Sequence, residues 1–254
     1  MRKLLATDLD GTLLKDNNIS SENRQAVEKL QNDNILVVST GRPYNGITFL
    51  KDDHKIEADY YVLLNGALII NKAMEKVKHE IIESKTINDI LNDYKEDSMA
   101  ISVESGYKTY LLTDWDNLPY PNKIRVKAVD NIEEDLSLIS IYIPDKSIKY
   151  IEDLKNNINS KYGSKVIAYR NDVYIDIVPV GCSKGHGVEC VAKRTGIEKS
   201  RVYTIGDSWN DVTMFNVTNN AFTFHHVEEE LKKHANYLVS SVAECIENFI
   251  IKEI

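Results

Sequence analysis

The sequence predicts an α/β protein: a parallel sheet flanked by helices and interrupted by an inserted α+β segment. Two observations predict it. Toward both ends of the chain, short apolar runs alternate with amphipathic stretches, the pattern of strand–helix–strand crossovers in a parallel sheet. From about Ile81 to Val178 the candidate strands instead come in neighbouring pairs with short turns between them, as antiparallel hairpins do.

Taken in order, Lys3–Thr7 reads as a strand, and "SSENRQAVEKLQND" as a helix with Ser20 as its N-cap. Ile35–Ser39 is a β-branched run and Tyr60–Leu64 another, with a short helical segment from Pro43 between them. In the middle, Met99–Glu104 pairs with Tyr107–Leu112 across "SG", and Val166–Arg170 with Val173–Val178 across "ND". Helical patterns near 86–95 and 147–159 are interspersed. Finally, Val202–Ile205 is a strand between helical patterns at 184–195 and 211–216.

Composition narrows the partners. With 254 residues and 43% hydrophobic content the chain can bury a full core. Lys plus Arg total 31 against 39 Asp plus Glu, a net charge of -8 that disfavours a nucleic-acid binder. The three cysteines, Cys182, Cys190 and Cys245, form no CxxC pair, which argues against a zinc site or a disulfide framework and fits a reducing cytoplasm. The apolar stretch after Met1 is too short for a signal peptide, and no run has the length of a membrane span, so no membrane association is expected.

The chemistry begins at "LLATDLDGTLL", residues 4 to 14, where an apolar strand runs into Asp8 and Asp10. In a parallel α/β sheet ligands bind beyond the carboxyl ends of the strands, and strand alternation points these two side chains the same way. Gly11 permits a tight turn and Thr12 offers a hydroxyl. Two carboxylates held together need a cation or a shared proton, and oxygen ligands suit Mg²⁺. A calcium loop fails on spacing: counting from Asp8, Leu13 falls where the invariant glycine belongs and Ile19 where the glutamate does.

A second acidic cluster, "IGDSWND", follows Val202–Ile205 and brings Asp207, Asn210 and Asp211 to another strand end. If the two strands are neighbours, Asp207 shares a cation with Asp8. "VVSTGRP" places Thr40, Gly41 and Arg42 after the second strand: a hydroxyl, a backbone amide and a guanidinium, all partners for phosphate oxygens. "GCSKGHG" sets Lys184 at the start of a helix, where a cation is unfavourable unless an anion lies nearby. It is not a Walker A loop.

These four stretches, in this order, resemble the motifs of the haloacid dehalogenase superfamily, specifically the Cof-type phosphatases with a large α/β cap: "DLDGTLL" the first, "STGR" the second, Lys184 in "SKG" the third, "GDSWND" the fourth. "LNGA" at 64–67, with Asn65, is similar to a further family signature. The resemblance covers essentially the whole chain. It implies a Rossmann-like core at 1–80 and 181–254 with an inserted cap at 81–180. It also implies roles. Asp8 is the nucleophile, forming an aspartyl-phosphate, and Asp10 the acid and then the base. Thr40 and Lys184 hold the phosphoryl oxygens, with Gly11, Thr12, Gly41, Arg42, Asn65 and Asn210 around the phosphate. Mg²⁺ sits between Asp8, the main-chain carbonyl of Asp10, and Asp207, with Asn210 and Asp211 completing the outer shell. The implied substrate is a small phosphorylated metabolite, a sugar phosphate or cofactor phosphate, and the protein is expected in the cytoplasm as a monomer or weak homo-oligomer.

The chain departs from the family pattern at "HHV", His225–Val227, and at Ser240–Ser241, in loops expected to border the active-site rim. His225 and His226 with His234 make a poor metal site, because adjacent histidines rarely point one way. Trp209 reads as a packing aromatic. In the cap, Tyr107, Lys108, Tyr110, Trp115, Tyr120 and Arg125 are the candidate leaving-group contacts. Two other functions fit the same motifs: a phosphosugar mutase, and a catalytically silent sensor of a phosphometabolite.

Overall fold

The computed structural model describes residues 1–115 and 118–252. Its first strands are β1 (Leu4–Thr7), β2 (Ile35–Ser39), β3 (Tyr60–Leu63), β4 (Leu68–Asn71) and β5 (Lys76–His79). Then come β6 (Ala100–Glu104), β7 (Thr109–Leu111), β8 (Lys123–Arg125), β9 (Leu138–Tyr142), β10 (Val166–Asn171) and β11 (Tyr174–Pro179). The chain closes with β12 (Val202–Ile205), β13 (Ala221–Phe224) and β14 (Tyr237–Val239). Among the described residues these form two sheets, ordered β14-β13-β12-β1-β2-β3-β4-β5 and β10-β11-β9-β6-β7-β8.

The first sheet is parallel from β14 to β3. Strand alternation divides its apolar side chains between two helical layers. Leu5, Leu36 and Val38 pack with Ala26, Val27 and Leu30 of the helix Ser21–Gln31. Leu4, Ala6, Ile35 and Val37 pack with Val188, Val191 and Ala192 of the helix Lys184–Thr195. Ser20 caps the first of these helices, its hydroxyl accepting from the Asn23 amide at 3.1 Å. The sheet is buried on both faces, as βαβ crossovers require.

The second sheet is antiparallel apart from the β7–β8 pair, and its two faces differ. Ile101, Val103, Ile139, Ile141, Ile175 and Ile177 form one face, packed on the helices Ser84–Tyr94 and Ile148–Tyr162. The opposite face carries Ser102 and Glu104 of β6, Leu138 and Ser140 of β9, and Tyr174 and Asp176 of β11; Asp176 pairs in register with Ser140, and Glu104 with Leu138. That polar face looks onto the carboxyl ends of the first sheet, and the cavity between them is the site.

Several elements differ from the sequence reading. The first sheet is not wholly parallel: β4 turns back antiparallel on β3, and β5 antiparallel on β4, an extension of the run read as ending at Leu64. Strands β8, β9, β13 and β14 were also unforeseen; β8 and β14 have three residues each, too few to show a period. The hairpin turns fall a residue later than "SG" and "ND": Ser105 pairs with Lys108 around Gly106 and Tyr107, and Asn171 pairs with Tyr174 around Asp172 and Val173. Gly106 and Asp172 take the positive φ these turns need, 99° and 51°.

Candidate active site

Strands β1 and β12 are neighbours, with Thr7 opposite Ile205, so the two acidic motifs leave adjacent strand ends. Asp8, Asp207 and Asp211 each offer an oxygen within 4.8 Å of the others, a group that could hold a metal ion. The turns are shaped for this. Gly11 has φ +79°, and a Cβ there would overlap the Asp207 carboxylate. Thr12 donates its hydroxyl to Asp207 Oδ1 at 2.5 Å. Asp211 Oδ2 accepts from the amides of Asp207 and Ser208, both at 2.9 Å, which folds the "GDSWND" loop around its own carboxylate.

Lys184 enters from below at the first position of its helix, only 2% exposed. Its Nζ donates to Asp8 Oδ1 at 2.6 Å and to Asp211 Oδ1 at 2.7 Å. The sequence conflict at this helix start is resolved, since the ammonium faces two carboxylates. Burial works to lower the Lys184 pKa, but Asp211 and Asp8 outweigh it and hold the ammonium above its ordinary range. Burial, with Asp211 next, pushes the Asp8 carboxyl well up despite Lys184. The same causes, in the same order, push Asp207 up to about 6. Three carboxylates share one ammonium, so the cluster is short of positive charge. A hard divalent cation with oxygen ligands fits that donor set.

Asp10 lines the same cavity as Asp8 but takes a different partner. Arg42 Nε donates to Asp10 Oδ2 at 2.7 Å and Nη2 to Oδ1 at 2.6 Å, while Nη1 donates to the Gly46 carbonyl at 2.9 Å. The guanidinium lies between the rings of Phe49 and Tyr120, each 5.5 Å away. Arg42, expected at the phosphate, therefore spends its donors holding Asp10. Thr40 is buried at the end of β2, and its hydroxyl accepts from the Arg42 amide at 3.1 Å. Asn65, with φ 48°, donates to Asp176 Oδ2 at 2.9 Å and accepts from Asn210 Nδ2 at 3.3 Å. A Cβ on Gly41 would come within 2.9 Å of Asp176 Oδ2, so a larger residue here would press on the Asp176 carboxylate where the two sheets meet.

The cavity encloses about 380 Å³, the size of a small-metabolite pocket. Asp8, Asp10, Gly11, Thr40, Gly41, Arg42, Lys184 and Asp207 line it; Thr12, Asn65, Asn210 and Asp211 stand behind that lining. Of the six cap candidates, Trp115 and Tyr120 reach it. The others are placed elsewhere. Tyr107 packs on Tyr44, Lys108 pairs with Glu134, Tyr110 lies in the cap core, and Arg125 pairs with Asp114. Glu104, Ser140, Tyr174 and Asp176 line the cavity and were missed. Glu104 and Asp176 were visible as acids inside the apolar runs "ISVE" and "YIDIVP", but which face they occupy depends on register.

The two departures from the family pattern do not reach the cavity either. Ser241 caps the following helix, accepting from the Glu244 amide, and Ser240 donates its amide to the Glu244 carboxylate. His226 lies against Phe224 and His234 against Trp209. Trp209 packs on Arg170 and donates to Glu228 Oε2, tying the fourth motif to β10.

The family model for haloacid dehalogenase-like hydrolases matches residues 5–250. The chain belongs to that family. It is 26% identical over 255 residues or more to curated relatives: one, from Bacillus subtilis (strain 168), is the 5-amino-6-(5-phospho-D-ribitylamino)uracil phosphatase YwtE, matched over 94% of this chain and 93% of that one. Among solved structures, SMU.1108c from Streptococcus mutans UA159 superposes with a TM-score of 0.86 at 22% identity, over 99% of this chain and 100% of that one. The subclass IIB sugar phosphatase BT4131 superposes at 0.80 and 18%, over 97% and 98%. This haloacid dehalogenase-like chain is a phosphoric monoester hydrolase. Among its described residues no helix is long and apolar enough to cross a membrane.

Proposed function

We propose that the protein is a Mg²⁺-dependent phosphatase of sugar or cofactor phosphates that works through an aspartyl-phosphate on Asp8. The observation that carries this reading is the Asp8 carboxylate, held 2.6 Å from the Lys184 ammonium at the floor of a cavity shared with Asp10 and Asp207. A phosphate monoester is anionic and repels a carboxylate nucleophile, so positive charge must meet it there.

Asp8, Asp207 and the main-chain carbonyl of Asp10 would hold the Mg²⁺, with Asp211 and Asn210 outside them. When bound, the ion supplies a Lewis acid that offsets phosphoryl charge. Lys184 and Thr40 hold the phosphoryl oxygens. Asp8 attacks phosphorus, and its new P–O bond forms as the bond to the leaving oxygen breaks; Asp10 gives that oxygen its proton. Asp10 then takes a proton from water, whose oxygen attacks the same phosphorus and frees Asp8 and inorganic phosphate. Arg42 keeps Asp10 aimed through both steps. The division into a core of 1–80 and 181–254 and a cap of 81–180 belongs to this reading, as does a cytoplasmic location.

Phosphate release is measured from a panel of sugar, nucleotide and pyridoxal phosphates with Mg²⁺, with EDTA, and with Asp8→Asn. Release that needs metal and vanishes in the variant is expected. Isomerised sugar phosphate without free phosphate would instead identify a mutase, and binding without turnover a sensor.

A further inference from the structure

The cap side of the cavity has an unusual charge. Glu104, Asp172 and Asp176 line it, and among the described lining residues the only cations are Arg42 and Lys184. Both cations are already paired, Arg42 with Asp10 and Lys184 with Asp8 and Asp211. Glu104 is 1% exposed, and its Oε1 accepts from the Ser102 hydroxyl at 2.7 Å, while its buried Oε2 has the Thr109 hydroxyl beside it but forms no hydrogen bond of normal geometry. A buried carboxyl oxygen short of a donor costs about 1–3 kcal/mol. Asp176 receives Ser140 Oγ at 2.9 Å and Asn65 Nδ2 at 2.9 Å, one donor to each oxygen, which leaves each a lone pair for a further donor. Beside them Trp115 stacks on Tyr142 and Tyr174 packs against it at a tilt, with centroids 5.5 and 4.8 Å apart, an aromatic cluster at the cavity wall.

We propose that Glu104 and Asp176 select a phosphate monoester whose leaving group presents hydroxyl or ammonium donors and carries no second acidic group. This rests on the phosphatase reading above and adds the chemistry of the leaving group to it. A hydroxyl satisfies Glu104 in either protonation state, as acceptor when the acid is neutral and as donor when it is ionised. An ammonium gains a carboxylate partner. A second carboxylate or phosphate on the leaving group meets Asp172 and Asp176 with no unpaired cation among the described lining residues, and repulsion of that kind gives discrimination by exclusion.

The test measures binding, so that it stands apart from turnover. The full chain carrying Asp8→Asn is titrated calorimetrically, with Mg²⁺, with glucose 6-phosphate, glucosamine 6-phosphate and 6-phosphogluconate. The first two are expected to bind, and 6-phosphogluconate at least tenfold more weakly. Adding Asp176→Asn, which removes one of the two repelling charges, should close that gap to under threefold. Equal or tighter binding of 6-phosphogluconate, no binding of any of the three, or a gap unchanged in a folded Asp176→Asn protein overturns the proposal. Circular dichroism checks the fold, and if the asparagine variant does not fold, Asp172→Asn takes its place beside the three-way ranking. Metal-dependent phosphate release by the wild-type chain is the separate test of the phosphatase reading, so the two can fail independently.

Discussion

Arg42 grips Asp10 through two parallel N–H···O bonds of 2.7 and 2.6 Å, and a third bond to the Gly46 carbonyl fixes the guanidinium itself. The fork matches a carboxylate in plane, which an ammonium cannot do. Asp10 is half exposed, so without the fork its carboxylate is free to swing. Arg42→Lys is expected to lower kcat about 10- to 100-fold, the range for a displaced catalytic group, although the charge is kept. Steady-state kinetics on a generic aryl phosphate decide it, and a lysine variant with wild-type kcat would remove Arg42 from the positioning of Asp10.

Lys184 is buried against two buried carboxylates, Asp8 and Asp211, with half-buried Asp207 beside them. Removing one partner of a buried pair leaves the other uncompensated, typically at a cost of about 3–5 kcal/mol. Lys184→Met in metal-free buffer is expected to lose stability on that scale, and adding Asp8→Asn should return part of it. Denaturant unfolding of the single and double variants checks this. Additive losses would show that the Lys184–Asp8 bond carries no coupling.

How far the sequence reveals this site follows from distance along the chain. Asp8, Thr40, Lys184 and Asp207 each sit at a strand or helix end marked by a local change from apolar to polar residues, and such ends are readable one at a time. Partners across the chain are not. That Arg42 turns to Asp10 depends on β1 and β2 lying side by side, and that Asn65 reaches Asp176, 111 residues away, on how the two sheets meet. Glu104 and Asp176 were visible as acids in apolar strands, yet a shift of one residue in register would have sent both to the opposite face. β9 was missed for a related reason: it has no hairpin partner next to it in sequence and pairs instead with β6 and β11.

Metal binding should depend on pH with a definite sign. Burial and the neighbouring Asp211 raise the Asp207 carboxyl to about 6, above its ordinary 3.8. A metal ion must displace that proton and the one that burial holds on Asp8, so affinity rises with pH through about 6 and goes on rising as Asp8 ionises. Competition by the Asp207 proton alone gives about a tenfold gain between pH 5 and pH 7. In metal-free protein the stability changes in the opposite direction. The folded state holds the proton more tightly than the unfolded state, so the contribution of Asp207 to stability is fully present below about 4 and is lost as pH rises through about 6. Mg²⁺ titrations at the two pH values test the first part, and an affinity that falls as pH rises would contradict it.

Glu104 offers the same linkage away from the metal. Burial raises its carboxyl from 4.5 to about 8, with Asp176 adding to the rise and the Thr109 and Ser102 hydroxyls working against it. The folded value lies above the unfolded one. The contribution of Glu104 is therefore fully present below pH 4.5, declines as pH rises, and is gone once pH passes about 8. Gln has no proton to lose, so Glu104→Gln removes this dependence. The stability difference between variant and wild type should move in favour of the variant across pH 4.5 to 8, by at most about 5 kcal/mol, and stay constant above it. Urea unfolding at pH 5, 7 and 9 measures it. A difference that does not change with pH would mean that Glu104 titrates near its ordinary value, and that its buried oxygen already has a partner in solution.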